Sequence, residues 1–399
     1  MIEMSTEQWR PSQIVLVLQG GGALGAYQAG VYQGLHEAGI EPDWIIGTSI
    51  GGINGAILAG NSPGDRLIKL REFWSRIGRP SLIDESWISA VGGGFGSAFA
   101  NLNTIMRGIP GFFEPNPRAV WGVHAPLGAD AAAFYTTEQL KRTIAELVDF
   151  STLNSRHPRL TVGAVNVRSG DMKYFDGREM ALDVEHVMAS GALPPAFPAV
   201  RIDGELYWDG GIYSNTPVEV VLDDMPRRDS LIFSVNVWQP RGREPETIWQ
   251  VLGRYKDIQY SSRVKSHLAR QEQIHRLRHI VQQLSARLPA EERGDPDVQE
   301  MASYGCRTTM HLVRLLSPRL EGEDHTKDID FSQAGIRARW SAGYADIRRM
   351  LAAHPWDQKV DPLQGVVIHE STRLDTQGVS ENKHDNHMAD QMHPAIAAE

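Results

Sequence analysis

The sequence predicts an α/β fold built on a mainly parallel sheet, and three observations lead to that prediction. Residues 13–60 alternate strand-like and helix-like hydrophobic patterns, and strands separated by helices pair in parallel because each helix returns the chain across the sheet. Hydrophobic residues make up 41% of the 399 residues and charged residues 22%, so the chain can bury a large core and is not globally disordered. Glycine clusters stand at both strand-to-helix junctions, where the chain has to turn tightly.

The hydrophobic pattern places the first elements in order. Residues 13–18 are an apolar run of strand length that ends at glycines, and residues 25–38 carry apolar side chains at helical spacing. Residues 43–46 form a second short strand, which leads through a turn into a helix of small residues ending near Ala59. The later pattern predicts a helix from Thr136 to Val148 begun by a capping box over 136–139, strands over 159–167 and 231–238, and helices over 247–288 and 333–352.

A boundary near residue 240 follows from a change in composition, because the chain becomes charged and helical after Pro240. We expect one domain over 1–240 and a mostly helical extension over 241–370. Residues 371–399 hold few large apolar side chains, which predicts a disordered tail.

Composition excludes several classes of function. Forty Lys and Arg stand against forty-nine Asp and Glu, whereas a dedicated nucleic-acid binder needs an excess of cations. The single cysteine, Cys306, rules out an internal disulfide framework and fits a reducing compartment. The common zinc signatures C-x-x-C and H-E-x-x-H are missing. A polar start and apolar runs far short of the ~20 residues of a membrane span predict a cytoplasmic protein, with peripheral contact at a membrane surface as an option.

The first candidate site is Gly47-Thr48-Ser49-Ile50-Gly51, a G-x-S-x-G sequence between a predicted strand and a predicted helix. In a nucleophile elbow the serine lies on a sharp, strained turn, and small neighbours let the flanking backbones approach each other. The pattern alone also occurs in ordinary turns. The strand–turn–helix context favours a nucleophilic Ser49.

The second candidate site is the glycine loop from Gly20 to Gly25, which also joins a strand to a helix. Its backbone N–H groups and the helix dipole suit an oxyanion hole, which needs donors already in place where negative charge develops. The same glycines match the dinucleotide pattern G-x-G-x-x-G, which requires an acid at the end of the second strand. The nearest acid, Asp43, precedes that strand, so nucleotide binding and a simple tight turn rank below an oxyanion hole.

The third candidate site is the sequence D-G-G-x-x-x-N-x-P that starts at Asp209. An aspartate at a turn commonly serves the turn itself. A serine nucleophile, however, needs a positioned base to remove its proton, and Asp209 can supply one. Histidine fills that role more often, but none of the fourteen histidines stands in a comparable glycine-framed motif.

Together these motifs resemble those of the patatin-like phospholipases. A fourth block, residues 189–198 (ASGALPPAFP), is similar to the segment that precedes the catalytic aspartate in that family. The four blocks cover roughly residues 13–240, and the region after 240 resembles the C-terminal extension of a bacterial subset of the family.

The resemblance implies a three-layer α/β/α fold with 1–240 as the catalytic domain, and hydrolysis of lipid fatty-acyl esters without a metal or other cofactor. It implies a catalytic dyad in which Ser49 is the nucleophile and Asp209 is the base. It also implies an oxyanion hole from Gly20, Gly21 and Gly22, with supporting glycines at Gly25, Gly47, Gly51, Gly210 and Gly211.

Two other functions stay open at this point. A Ser-His-Asp esterase would use a histidine such as His186 or His267 as its base, and would act on short-chain esters or storage polyesters. A non-catalytic lipid-binding scaffold would keep the fold without the reaction. The motifs leave the head group, the acyl-chain length and the oligomeric state open.

Residues 84–134 form a long, irregular segment rich in Phe, Trp and Gly. One interpretation is a packed surface excursion. The other is a lid that gates an apolar acyl channel, with Phe112 and Phe113 in its wall, because long loops in compact domains are often functional.

Residues 241–288 hold ten Lys or Arg against four acids, which predicts a basic face on a helix. One interpretation packs the helix on the catalytic domain. The other docks its basic face, with Arg270, Arg276 and Arg278, on anionic lipid. The apolar stripe expected to pack consists of Ile274, Leu277, Ile280, Val281, Leu284 and Leu288.

Overall fold

The computed structural model describes most of the chain between Trp9 and Glu370. The described residues are 9–79, 108–122, 124–320, 323–358, 360–361 and 363–370. The predicted tail at 371–399 and the first half of the predicted lid segment, before residue 108, lie outside them.

The strands form one large sheet and one small ribbon. They are β1 Gln13–Leu18, β2 Trp44–Thr48, β3 Glu114–Pro115, β4 Tyr135–Thr136, β5 Arg159–Asn166, β6 Met172–Asp176, β7 Val200–Ile202, β8 Glu205–Asp209, β9 Ser230–Asn236, β10 Met310–Leu316 and β11 Val366–Glu370. The large sheet has nine strands in the order β11-β10-β9-β1-β2-β5-β8-β7, with β6 also paired to β5, and β3 pairs with β4 separately. Every pair from β11 to β5 is parallel, which confirms the mainly parallel sheet.

Helices connect the strands and cover the sheet. They are α1 Ala26–Glu37, α2 Ile50–Ala59, α3 Pro63–Ile77, α4 Glu138–Leu147, α5 Phe150–Leu153, α6 Val184–Ser190, α7 Glu219–Leu222, α8 Ile248–Arg287, α9 Ala290–Arg293, α10 Pro296–Ser303 and α11 Gln333–Ala353. Short 3₁₀ turns at Gly22–Gly25 and Gly210–Ile212 follow β1 and β8.

The two faces of the sheet bury separate apolar clusters. Leu16 and Leu18 of β1 belong to the cluster covered by α1, α2 and α11, whereas Val15 and Val17 belong to the cluster covered by α7 and α8. This alternation is the period of two that a strand requires when both of its faces are buried. The expected three-layer α/β/α arrangement is confirmed.

Residues after 240 contribute to the same body. The helices α8 and α11 lie where the pattern predicts them, but β10 and β11, which the sequence analysis does not predict, continue the parallel sheet beyond β9. The helix α11 packs so closely on α1 that a Cβ atom on Gly30 would lie 1.9 Å from the Trp340 carbonyl oxygen. The sheet therefore crosses the predicted boundary at 240 without a break.

The helix α8 packs only in part through its predicted apolar stripe. Leu277 and Leu284 of that stripe are 61% and 58% exposed, whereas its other four residues are half-buried. The chain beneath α8 also presents polar groups: His275 Nε2 lies 3.0 Å from the Leu222 carbonyl oxygen. Among the side chains of α8 that the structure describes, the buried ones are mostly polar: Asp257, Ser261, Leu268, Gln271, His275 and His279.

The helix α4 also begins differently from the prediction. Its N-cap is Thr137, whose side chain makes no capping hydrogen bond, so the expected capping box is absent. Gln139 is engaged elsewhere, since its side chain accepts from the Gly111 N–H at 2.8 Å and donates to Glu114 at 2.7 Å. The residue predicted to cap the helix instead holds the loop that carries Phe112 and Phe113.

Candidate active site

Ser49 lies in the turn between β2 and α2, in a strained backbone conformation. Its φ is +56°, a region that residues other than glycine rarely adopt. A Cβ atom on Gly47 would lie 2.3 Å from the Gly51 carbonyl oxygen, and one on Gly51 would lie 2.2 Å from that of Leu18. The Ser49 N–H donates to the carbonyl oxygen of Ser190 at 3.0 Å. The turn therefore has the glycines, the strain and the strand–helix context that the sequence predicts.

Asp209 ends β8 beside Ser49. Its carboxylate accepts a hydrogen bond from the Gly211 N–H at 2.7 Å. The residue is 1% exposed, and this burial raises the pKa of Asp209 to about 7 because desolvation outweighs the opposing effects of the Ser49 side chain and the Gly211 N–H. A carboxylate with a pKa near neutrality can take up and release a proton at ordinary pH.

The other glycines of the motifs allow close packing around this pair. A Cβ atom on Gly210 would lie 2.5 Å from the Gly163 carbonyl oxygen, and one on Gly211 would lie 3.0 Å from the Asp209 carboxylate. At the start of α1, a Cβ atom on Gly25 would lie 2.6 Å from the Ile50 side chain. Each of these positions excludes a larger residue, so the predicted supporting glycines have a steric reason.

The glycine loop between β1 and α1 passes directly over Ser49. A Cβ atom on Gly20 would lie 3.0 Å from Ser49 Cβ. The Gly20 N–H donates to the Asn215 carbonyl oxygen at 3.2 Å and is therefore engaged. The Gly21 and Gly22 N–H groups meet no acceptor among the residues that the structure describes. The loop thus leaves Gly21 and Gly22, rather than all three glycines, with unengaged donors at the site.

A cavity of about 170 Å³ opens beside Ser49 and Asp209, and its walls are mainly apolar. Phe112 and Phe113, from the described half of the predicted lid segment, form part of the wall. The Phe113 ring lies 5.3 Å from that of Phe197, which also lines the cavity. These three rings give the cavity the surface that an aliphatic chain would contact.

Several cavity residues come from outside the predicted motifs. Trp238, Tyr260, Asp328 and Phe331 all line it. Asp328 is held by Lys256 Nζ at 2.8 Å. The position of Trp238 at the end of a predicted buried strand is a usable signal, because the carboxyl ends of parallel strands meet at one edge of the sheet. The other three lie in helical or irregular chain without a motif.

The two histidines considered as alternative bases lie elsewhere. His186 caps the start of α6, where its Nδ1 lies 2.6 Å from Asp183. His267 faces Glu219 at 3.9 Å. Among the described residues that line the cavity there is no histidine.

Two kinds of feature are absent from the described residues. Across the part of the chain that the structure describes, no group of three or more His, Cys, Asp or Glu side chains is arranged to hold a metal ion. Within the same residues, none of the helices combines the length and the apolar character needed to cross a bilayer.

Comparison with protein families gives two matches. Residues 16–222 match the family model described as patatin-like phospholipase, which covers more than half of the chain. Residues 258–363 match a second model, described as patatin phospholipase. The two matches together include Ser49, Asp209 and most of α8.

Individual relatives are distant. The chain is 26% identical over 242 residues to a cGAMP-activated phospholipase of Pseudomonas aeruginosa, covering 56% of this chain and 61% of the relative. It is 29% identical over 215 residues to an uncharacterised NTE family protein of Mycobacterium tuberculosis, covering 52% of this chain and 28% of that protein. The chain therefore spans less than two thirds of the length of these relatives. Among solved structures, VipD from Legionella pneumophila aligns with a TM-score of 0.38 and 14% identity, covering 88% of this chain and 70% of VipD.

Proposed function

Since the chain belongs to the patatin-like phospholipase family, we propose that it is a serine hydrolase that cleaves fatty-acyl esters of lipids, with Ser49 as nucleophile and Asp209 as base. The observation that carries this proposal is that Ser49, in its strained turn, and the buried Asp209 carboxylate line the same apolar cavity. A serine hydroxyl becomes an effective nucleophile only beside a base that can take its proton. The raised pKa of Asp209, about 7, suits that task, because a general base works best when its pKa lies near the working pH.

The reaction follows from the arrangement of these groups. Asp209 takes the Ser49 proton while Ser49 Oγ attacks the ester carbonyl carbon, and the carbonyl oxygen becomes an oxyanion. The N–H groups of Gly21 and Gly22 stabilise that oxyanion, because they are not engaged elsewhere among the described residues. The carbon–oxygen bond to the alcohol breaks, and the alcohol leaves with the proton from Asp209. Asp209 then takes a proton from water, whose oxygen attacks the acyl carbon. The bond from that carbon to Ser49 Oγ breaks, Asp209 returns the proton to Ser49 Oγ, and the fatty acid is released.

The apolar cavity supports an acyl chain as the bound part of the substrate. Phe112, Phe113 and Phe197 would contact the aliphatic chain of the substrate. Removal of that chain from water would make binding more favourable. The Pseudomonas aeruginosa relative is a phospholipase, which makes a phospholipid ester the first substrate to test.

The two alternatives predict different results. A Ser-His-Asp esterase needs a histidine beside Ser49, and His186 and His267 are engaged with Asp183 and Glu219 instead. A binding scaffold needs no reactive serine, yet Ser49 lies in a strained turn and lines one cavity with the buried carboxylate of Asp209.

The test combines labelling with a lipid panel. A fluorophosphonate probe should label the wild type and a Ser155→Ala control, in which an exposed serine far along the chain is changed, but not Ser49→Ala. Phospholipid, triacylglycerol and short polyester substrates then identify the ester. Hydrolysis that persists in Ser49→Ala at the wild-type rate would overturn the proposal, and hydrolysis lost in His186→Ala or His267→Ala would favour the triad.

We further propose that α8 brings the enzyme to an anionic lipid surface. Ile248, Val251, Leu252 and Tyr255 recur at helical spacing on its first turns and are 41–79% exposed. Tyr260, on the same helix, lines the cavity, so a lipid surface at these turns would lie near the site. Of the three arginines expected on the basic docking face, Arg270 and Arg276 are exposed, whereas Arg278 is half-buried beside His275.

Vesicle sedimentation tests this docking. Ile248→Ser with Tyr255→Ser should weaken binding to phosphatidylcholine vesicles that contain phosphatidylglycerol, and Arg270→Glu with Arg276→Glu should weaken it in low salt. Leu284→Ser is the matched control, since this leucine is 58% exposed at the far end of the same helix. Equal binding by all variants, or no binding by the wild type, would rule the docking surface out.

A further inference from the structure

The peptide group between Gly20 and Gly21 is held by two side chains from distant parts of the chain. The Trp238 indole N–H donates to the Gly20 carbonyl oxygen at 2.8 Å, and the Asn215 side-chain amide donates to the same oxygen at 3.1 Å. Two donors on one carbonyl oxygen fix the direction in which this peptide faces.

The orientation of that carbonyl decides where the next N–H points. The only cis peptides among the described residues precede proline, so the Gly20–Gly21 peptide is trans. In a trans peptide the C=O and the N–H point in opposite directions. With its carbonyl turned toward Trp238 and Asn215, the peptide directs the Gly21 N–H away from them. That N–H finds no acceptor among the described residues, and Gly21 lines the cavity with Ser49.

We propose that Trp238 is a positioning residue for the oxyanion hole: its indole N–H holds the Gly20 carbonyl and so aims the Gly21 N–H at the oxyanion formed on attack by Ser49. This inference rests on the proposed function. A carbonyl that accepts two hydrogen bonds also polarises its own peptide, which makes the Gly21 N–H a stronger donor.

The indole itself is locked in place. Trp238 is 2% exposed, and its backbone N–H donates to the Gln19 side chain at 3.1 Å. The Tyr260 ring lies 4.9 Å from it, and Lys327 Nζ lies 5.3 Å from its ring centroid. A Cβ atom on Gly21 would lie 3.1 Å from the indole nitrogen, so the loop rests directly on this ring. An indole has only a donor to offer, which fits it for holding a carbonyl.

The variant Trp238→Phe removes the N–H and keeps most of the ring. We expect kcat to fall roughly 10-fold or more, a part of the 10²–10³ that follows the loss of a whole oxyanion donor. KM should stay near the wild-type value, because the ground-state ester makes little use of this donor. Asn215→Leu has the same branched shape without the amide and should also lower kcat. It tests the same carbonyl independently if Trp238→Phe does not fold.

A trifluoromethyl ketone with a fatty-acyl chain separates positioning from packing. In its adduct a bond forms between Ser49 Oγ and the ketone carbon, the proton passes to Asp209 and the ketone oxygen becomes an oxyanion. Its inhibition constant should rise in Trp238→Phe by the same factor as kcat falls, while binding of the product fatty acid stays unchanged. Trp44→Phe is the matched control, because its buried indole N–H donates to Thr161 at 2.8 Å, away from the loop.

The outcomes distinguish a failure of the positioning role of Trp238 from a failure of the proposed function. If the wild type forms no adduct and hydrolyses no ester, the proposed function is wrong, and the positioning role of Trp238 is wrong as well. If the wild type is active and Trp238→Phe matches it in kcat and in ketone inhibition, the function stands and the positioning role is refuted. A drop in Trp44→Phe equal to that in Trp238→Phe would also refute it, because a general loss of packing would then explain both.

Discussion

The turn at Ser49 and the glycine loop meet at one site, yet distant parts of the chain hold them to different degrees. In the turn, a Cβ atom on Gly47 would lie 2.3 Å from the Gly51 carbonyl oxygen and Ser49 is strained between these glycines, although the Ser49 N–H also donates to the distant Ser190 carbonyl oxygen. The loop is held by residues far along the chain, through Trp238 on one side and the Asp328 carbonyl oxygen, which accepts from the Ala23 N–H at 2.9 Å, on the other. The proposed nucleophile thus depends largely on its local turn, whereas the proposed oxyanion donors depend on tertiary contacts.

The largest expected effect concerns the carboxylate that joins the two regions. Asp209→Asn keeps the shape of the side chain and removes the base, so hydrolysis should fall by roughly 10²–10⁴. In the wild type the same group should make kcat/KM rise as pH increases through about 7, where Asp209 loses its proton. Rates measured from pH 5 to 9 check both statements, and near wild-type turnover by the Asn variant would contradict the dyad.

The same substitution should stabilise the fold above neutral pH. Burial raises the folded-state pKa of Asp209 above its unfolded value, so the native state holds the proton more tightly. The contribution of Asp209 to the free energy of unfolding is therefore greatest below the unfolded pKa near 4. It decreases as pH rises and is lost above about pH 7. Thermal unfolding should show Asp209→Asn with a higher melting temperature than the wild type at pH 8, and a smaller difference at pH 5. A lower melting temperature at pH 8 would show that the buried carboxylate is not destabilising.

Two alanine substitutions, one in the turn and one in the glycine loop, test the contrast between these regions. In Gly47→Ala the new Cβ meets a backbone carbonyl at 2.3 Å, which cannot move without the elbow, so we expect about 3 kcal/mol of destabilisation. In Gly21→Ala the new Cβ meets the Val237 side chain at 2.7 Å, which can shift, so folding should survive and kcat should fall. Unfolding midpoints and kcat for both variants measure the contrast.

The double variant Gly21→Ala with Val237→Ala sharpens that contrast. Removing the Val237 methyl groups makes room for the new Cβ, so part of the lost kcat should return. No recovery would mean that the loop depends on glycine itself rather than on the space around it.

The smallest expected effect concerns the cavity wall. Phe112→Ser or Phe113→Ser should shift the preference among acyl-chain lengths, because burial of each CH₂ contributes about 0.8 kcal/mol when it contacts an apolar wall. Phe134→Ser is the control, since this ring is 49% exposed and does not line the cavity. An unchanged preference across short and long acyl chains would indicate that the described half of residues 84–134 serves packing only.

The same contrast explains what the sequence could predict. Ser49 and its glycines form a local pattern whose sterics can be read from five consecutive residues. Asp209 is recognisable because glycines frame it. Trp238 and Asp328 carry no such frame, and they reach the loop only because β9 lies beside β1 and because α8 holds Asp328 through Lys256.

The sequence pattern also misleads where polar side chains are buried and apolar ones are exposed. An apolar stripe predicts packing only if the surface beneath is apolar, and α8 instead buries Asp257, with Lys327 Nζ at 2.6 Å. Strands β10 and β11 were missed because short apolar runs within a helical region look like buried helix. The parallel sheet can be predicted from residues 13–60, since the order of strands and helices there requires parallel pairing, whereas the three-layer arrangement follows from the family resemblance.

The sheet order also has a consequence for synthesis of the chain. Strand β9 pairs with β1 across more than two hundred residues, and β10 then covers the other edge of β9. A nascent chain that has emerged through residue 222 holds every motif, but lacks Trp238 and Asp328 as well as the strand that must lie beside β1. Such long-range pairing forms slowly and leaves apolar surface open meanwhile. Hydrolytic competence should therefore arise only once residues 230–370 have joined the sheet, because the proposed oxyanion donors near Ser49 depend on those later residues.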